Sequence, residues 1–374
     1  MRIQAGLTVR RSNAALVVLA MLMLVLGSVR PGAAQVTPAA GFTPPDDTPS
    51  VKVGGRIFAD FTYLSAPQSK DADGNMVNLS AFNITRGYID VTGNVSHIVA
   101  FRVTPDVTRE SGAGSSLNGS LTYRLKYAYA QFNLDDWMPK GTWVRFGIQQ
   151  TPFIDYQESP YRYRFQGTVF FEREGYQSSA DAGVSFRTAF PKNYGDVHVG
   201  FYNGEGYSKA EANDQKALMV RASFRPLPMS RYLRGLRFTG YYTADNYVKN
   251  AARTRAIVDV MYEHPRVTLA FDYLDTRDQT SATKADVHGQ GWSVWATPKF
   301  GKGFEALLRY DNMEVDTTIG TWHKRTIAGL SYWFPKVGNV SSALLFDYDH
   351  LVSKNFTPPQ PTQDRIAVHM LVQF

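Results

Sequence analysis

From Val51 to Phe374 apolar and polar residues alternate with a period of two, the spacing that sends successive side chains to opposite faces of a β-strand. In the first segment Val51, Val53, Ile57, Phe61 and Tyr63 share one face, and Lys52, Arg56, Asp60 and Thr62 the other. The reading recurs near 82–93, 97–108, 120–134, 142–150, 180–190, 196–204, 216–225, 235–246, 254–263, 267–276, 290–298, 303–313, 322–334 and 340–350, with 82–93 the poorest pattern. The last segment, 365–374, sets Ile366, Val368, Met370, Val372 and Phe374 against Arg365, His369 and Gln373. This predicts about 16 strands, an even number as a closed bacterial barrel requires. A soluble strand with one buried face alternates in the same way, so the period alone leaves a sandwich and a membrane barrel both open.

Two further patterns separate them. In the nine clearest strands about 45 positions fall on the apolar parity; a chain with 20% charged residues would place about 9 charges there, and none is found. Lipid demands that exclusion, because a charge near the bilayer midplane costs roughly 2–4 kcal/mol. The connections also alternate in length. Compact turns at 93–94, 135–141, 191–195, 226–234, 264–266, 298–302 and 335–339 are interleaved with longer polar loops at 65–80, 109–119, 151–179, 205–214, 247–253, 277–289, 314–321 and 351–364. Short periplasmic turns and long outer loops make this rhythm, and place both chain ends on the periplasmic side. Tryptophans and tyrosines near strand ends suit an interfacial girdle. The expected fold is therefore all-β: a transmembrane antiparallel β-barrel of about 16 strands, with a long third loop folded inward.

The beginning of the chain fits export. Arg2, Arg10 and Arg11 precede an apolar run from Ala14 to Leu26, and Gly32-Ala33-Ala34 offers a cleavage site, so residues 1–34 are expected to be a signal peptide. Residues 35–50, with Pro38, Pro44, Pro45 and Pro49, are expected to be a flexible linker, and 51–374 the barrel. The leader carries four basic residues and no acid, so the formal charge of +7 falls to +3 without it. A mildly basic chain gives no support to nucleic-acid binding. With no cysteine, disulfides and thiolate metal sites are excluded.

Residues 151–179, at roughly 30 positions, exceed an ordinary connection. They hold Tyr161-Arg162-Tyr163-Arg164-Phe165 and Phe170-Phe171-Glu172-Arg173-Glu174, and are expected to narrow the bore. Asp71-Ala72-Asp73-Gly74-Asn75 imitates the start of a calcium loop, but Phe82 stands where that loop needs its Glu, so a polar turn is expected and no metal or cofactor. No Gly-x-Ser-x-Gly elbow or His-Glu-x-x-His helix occurs, which leaves no candidate catalytic residues. A barrel enzyme acting on lipid, hydrolase or acyltransferase, and a purely structural surface barrel are the alternatives to a pore.

Arg145-Phe146-Gly147 leading to Pro152-Phe153, then Phe171-Glu172-Arg173, Asp181-Ala182-Gly183-Val184 and Gly200-Phe201-Tyr202-Asn203-Gly204-Glu205-Gly206, resemble the phosphate-selective porin O and P family. Glu305, Arg309-Tyr310-Asp311 and Gly329-Leu330-Ser331-Tyr332 resemble its later strands. The resemblance implies a trimeric outer-membrane barrel with an inward third loop, passing small anions such as phosphate. Its expected partners are outer-membrane lipid, small anionic solutes and two further copies of the chain. The family often has Lys two residues before the Pro-Phe and Arg before the Asp-x-Gly-Val; here Gln150 and Ala180 stand in those places. Fewer fixed cations count against selectivity for phosphate itself, and a small excess of lumen-facing cations over interleaved acids points to a weak anion preference. Candidate constriction and anion-contact residues are Arg145, Arg162, Arg164, Arg173, Arg187, Arg221 and Arg309. Arg56, Arg102 and Lys126 are among the other cations expected to face the lumen, with interleaved acids such as Asp60, Asp106 and Asp311.

Overall fold

The computed structural model describes residues 47–374 apart from Ala113. The expected leader, and all but the last residues of the expected linker, lie outside them. The strands are β1 Ser50–Ala66, β2 Ser69–Lys70, β3 Met76–Val77, β4 Ser80–Asn94, β5 Val99–Arg109, β6 Leu121–Asn133, β7 Trp143–Gln150, β8 Ala180–Phe190 and β9 Gly195–Tyr202. They continue as β10 Ala217–Phe224, β11 Leu236–Val248, β12 Ala251–His264, β13 Val267–Asp278, β14 Val287–Gly301, β15 Phe304–Asp316, β16 Thr321–Trp333, β17 Ser341–Lys354 and β18 Gln363–Gln373. Sixteen of them form one closed barrel, each pairing with its neighbours in the chain and β1 closing on β18; β2 and β3 make a small separate hairpin in the first long loop. Closure leaves no unpaired sheet edge, as a strand in lipid requires.

The parity expected from the alternation is the one observed. Ile366, Val368 and Met370 point outward, while Ala367, His369 and Leu371 are buried inside. Register places Leu330, Phe346, Val368, Phe61 and Phe82 side by side across β16, β17, β18, β1 and β4, a continuous apolar row on the exterior. Charged side chains enter this outer face toward the loop ends, as at Asp275, Lys324 and Asp364. The seam closes on the last residue: the Phe374 amide donates to the Gly55 carbonyl and the Gly55 amide to the Phe374 carbonyl, both at 3.0 Å. A Cβ on Gly55 would stand 2.6 Å from the Phe374 ring, so only glycine lets that ring lie flat on β1.

Two local irregularities shape the bore. Register slips between Phe58 and Ala59 as β1 pairs with β4, which leaves Thr85 as an extra residue and accounts for the weak alternation of 82–93. A second slip, between Thr104 and Pro105 where β5 pairs with β6, makes Lys126 the extra residue. Proline cannot donate to the ladder, and the bulge formed there turns both Lys126 and Tyr127 into the interior.

The loop expected at 247–253 is instead a tight turn at Lys249 and Asn250, with Asn250 at φ 64. Strand pairing continues past the expected ends, from Val248 to Ala251, because Asn tolerates the left-handed conformation that closes the hairpin. Asp71 folds its own loop, its Oδ1 accepting from the Asp73 and Asn75 amides at 3.0 and 2.8 Å.

Candidate functional site

The third loop leaves β7 at Thr151 and enters the barrel, forming two short helices, α1 Pro152–Glu158 and α2 Phe170–Arg173. Proline at the first helical position starts α1, where its missing N–H costs nothing. Between the helices, Tyr161, Tyr163 and Phe165 are buried against the wall, and Arg162 and Arg164 alternate with them as the less buried residues. The aromatic strip meets Trp295 (centroids 5.1 Å from Tyr161), Trp333 (5.9 Å from Tyr163 and from Phe165) and Phe58 (6.4 Å from Phe165). Phe153 packs on Phe171 and on Tyr241 of β11.

These contacts explain why the inner wall is not uniformly polar. Ile257, Met261, Leu274, Leu307, Met313 and Leu345 face inward and are nearly inaccessible, forming one apolar cluster with the loop's rings. Burial of that surface holds the loop on one side of the bore.

Polar contacts fix its position. Tyr156 Oη donates to Asp259 at 2.6 Å and Gln157 Nε2 to Asp272 at 2.7 Å, where the two acids face each other across β12 and β13. Arg162 Nη2 lies 2.5 and 2.6 Å from the two carboxylate oxygens of Glu305, and Tyr163 Oη donates to the same group at 3.1 Å. Arg309 donates to the Tyr161 hydroxyl at 3.1 Å and to the Thr168 carbonyl at 2.8 Å, and Gln166 donates to Asp347 at 2.8 Å. The loop is thus anchored on strands from β12 to β17.

Near the turn side a cavity of about 480 Å³ lies between the loop and the wall of β1, β4 to β6 and β16 to β18. Its lining includes the cations Arg56, Arg102, Lys126, Arg162, Arg164 and Lys336, and two acids, Asp155 and Glu158. Several of these charges are paired. Arg56 and Arg102 share Asp90 at 3.2 and 2.5 Å, and Arg164 lies between Glu158, at 3.1 Å, and Glu172. Lys126 Nζ donates to the Tyr88 hydroxyl at 3.2 Å and sits 5.0, 5.5 and 5.7 Å from the ring centres of Tyr88, Tyr127 and Tyr207.

Of the seven arginines singled out in the sequence, Arg162 and Arg164 line this cavity. The other five are placed elsewhere on the inner surface. Arg145 bonds Gln131 and Gln150 at 2.8 and 3.2 Å and stacks 3.9 Å over Trp143. Arg187 and Arg221 both pair with Asp196, and Arg221 is buried beside the Tyr156 ring. Arg309 is buried against Asp311 under the loop, and Arg173 donates to Gln166 at 2.9 Å. Those five brace the loop and the wall. Lys336, in a turn, carried no alternation signal to single it out, and the bulge that turns Lys126 and Tyr127 inward together was marked only by Pro105.

A family model described as phosphate-selective porin O and P matches residues 51–302. Among solved structures, the anion-selective porin from Comamonas acidovorans is similar at TM-score 0.60 and 13% identity, covering 87% of this chain and 100% of that one. OmpT of Vibrio cholerae in its trimer form gives TM-score 0.57 at 11% identity, over 88% of this chain and 100% of that one. The outer membrane channel DcaP of Acinetobacter baumannii gives 0.56 at 12% identity, over 87% and 97%. No curated protein sequence matches significantly.

Proposed function

The chain belongs to the phosphate-selective porin O and P family, and from that premise we propose that its barrel passes small hydrophilic solutes by passive diffusion with a weak preference for anions. It is a bacterial outer-membrane porin, and its closed wall presents apolar side chains to lipid. The observation that carries the anion preference is the lining of the narrowed bore, where six basic side chains stand against two acidic ones. Fixed guanidinium and ammonium groups lower the energy of a partly dehydrated anion and raise that of a cation. All four guanidiniums of the lining are held by neighbouring carboxylates, which reduces the field an anion meets and supports weak rather than strict selection.

Arg162 and Arg164 are the members of the original set assigned here to solute contact. Arg145, Arg173, Arg187, Arg221 and Arg309 are assigned to holding the constriction in shape. Residues 1–34 are read as a leader removed on export and 35–50 as a linker. Assembly as a homotrimer is supported by the trimer form named for the similar OmpT.

Detergent-purified protein added to a planar bilayer tests the reading. Stepwise chloride-carrying conductance is expected; lipid turnover without conductance would make the barrel an enzyme, and neither would leave a structural role.

A further inference from the structure

The cavity that narrows the bore is as aromatic as it is basic. Phe58, Tyr88, Tyr127, Tyr161 and Trp333 contribute to its lining alongside the cations. To a small hydrated inorganic anion the faces of these rings offer little, and they exclude the water that the ion needs. For an anion with a flat apolar body they supply surface to bury and ring faces to stack on.

The charges sort the same way. Arg56, Arg102, Arg162 and Arg164 are each paired with a carboxylate of the protein. Neither lysine of the lining has a carboxylate within 4.0 Å among the described residues; Lys336 is exposed in a turn, whereas Lys126 is buried, donates to Tyr88 and sits among the rings of Tyr88, Tyr127 and Tyr207. The lining therefore holds a buried ammonium that no carboxylate of the described residues contacts directly, placed there by the bulge opposite Pro105. Arg162 adds a platform. Its guanidinium lies 4.1 Å over the Trp333 ring, and with its side chain 42% exposed it offers its other face to the cavity. A planar cation presents a stacking surface to an aromatic ring.

We propose that this cavity is a binding site for aromatic carboxylates, with the carboxylate at Lys126 and the ring on the Arg162–Trp333 stack. The inference rests on the pore reading and names a solute class for the same site. The volume, about 480 Å³, lies within the range of roughly 300–1,000 Å³ usual for small-molecule sites. The one buried ammonium suits one carboxylate, and removing one ring face from water predicts an affinity about tenfold above that of an aliphatic acid of equal charge.

The test compares benzoate, acetate and inorganic phosphate on the full mature chain in lipid vesicles, by saturation-transfer NMR against empty vesicles, with chloride current recorded from the same preparation. Benzoate is expected to bind about tenfold more tightly than acetate. Lys126→Met should weaken both carboxylates, whereas Lys126→Arg should hold benzoate within about threefold of wild type. Trp333→Leu should abolish the difference between benzoate and acetate, and Trp333→Phe should keep it. Equal affinity for benzoate and acetate, or phosphate binding more tightly than benzoate, overturns the proposal. Benzoate binding as described without chloride current would uphold the site and remove the pore reading instead.

Discussion

Arg162 grips both oxygens of Glu305 from the tip of the third loop, at 2.5 and 2.6 Å, while its guanidinium covers the Trp333 ring. One side chain thus ties the loop to the wall of β15 and β16 and puts a positive charge on the cavity beside it. Exposure of Arg162 discounts the strength of the pair to about 1 kcal/mol. Glu305→Gln is expected to keep the loop's position on average, increase current noise as the tip loosens, and strengthen anion preference by freeing the guanidinium. Arg162→Glu should weaken that preference. Single-channel recordings of both variants check the pair; unchanged noise and selectivity would separate Arg162 from the conduction path.

The base of the loop is held by groups with no water to replace them. Gln157 and Asp272 are fully buried, and Gln157→Leu would leave that carboxylate without its amide donor. A loss of about 1–3 kcal/mol in local stability is expected. Hydrogen exchange of the α1 amides measures it, with Tyr156→Phe giving a smaller effect through Asp259. Protection unchanged in both variants would show that packing alone holds the loop.

The exterior makes a separate prediction. Phe346 is 57% exposed and flanked across the ladder by Leu330 and Val368. Phe346→Arg should destabilise the barrel folded into vesicles by roughly 2–4 kcal/mol if this row meets the lipid core. An effect near zero in a reversible folding titration would place the row outside the membrane.

On the turn side, His97 joins the segment entering β1 to the β6–β7 turn. Its Nδ1 is 2.6 Å from Asp47 and its Nε2 is 2.9 Å from Asp136. Hydrogen bonds to Asp47 and then Asp136 raise its pKa above the ordinary 6.5. The raised value means that the charged latch is fully present below the ordinary imidazole pKa and is lost as pH rises through the raised one. An NMR titration of the imidazole should have its midpoint above 6.5, and Asp47→Asn should lower it. A wild-type midpoint at or below that value would show that the latch does not form.

Much of this architecture was legible in the residues. Ile366, Val368 and Met370 against Arg365 and His369 already define an outside and an inside, since lipid and water impose opposite demands on alternate positions. The inward apolar residues were not legible. Leu345 sits between Leu344 and Phe346, three apolar neighbours without parity of their own; it faces in with Asp347 and Asp349, and the third loop covers it there. Within the loop, Tyr161-Arg162-Tyr163-Arg164-Phe165 did hold a signal. Its period of two is the alternation of an extended segment, with the buried rings on one parity and the guanidiniums on the other. The bulge at Lys126 depends on where β6 meets Pro105 of a different strand, a register that no local pattern records.

Reversal potential across a KCl gradient bears most directly on the account, because it reads the sign of the charge lining the bore. With wild-type protein in a planar bilayer the potential is expected to take the sign of chloride permeation, and to move toward zero when Lys126 and Arg162 are both changed to Gln. A potential of potassium sign in the wild type would contradict it.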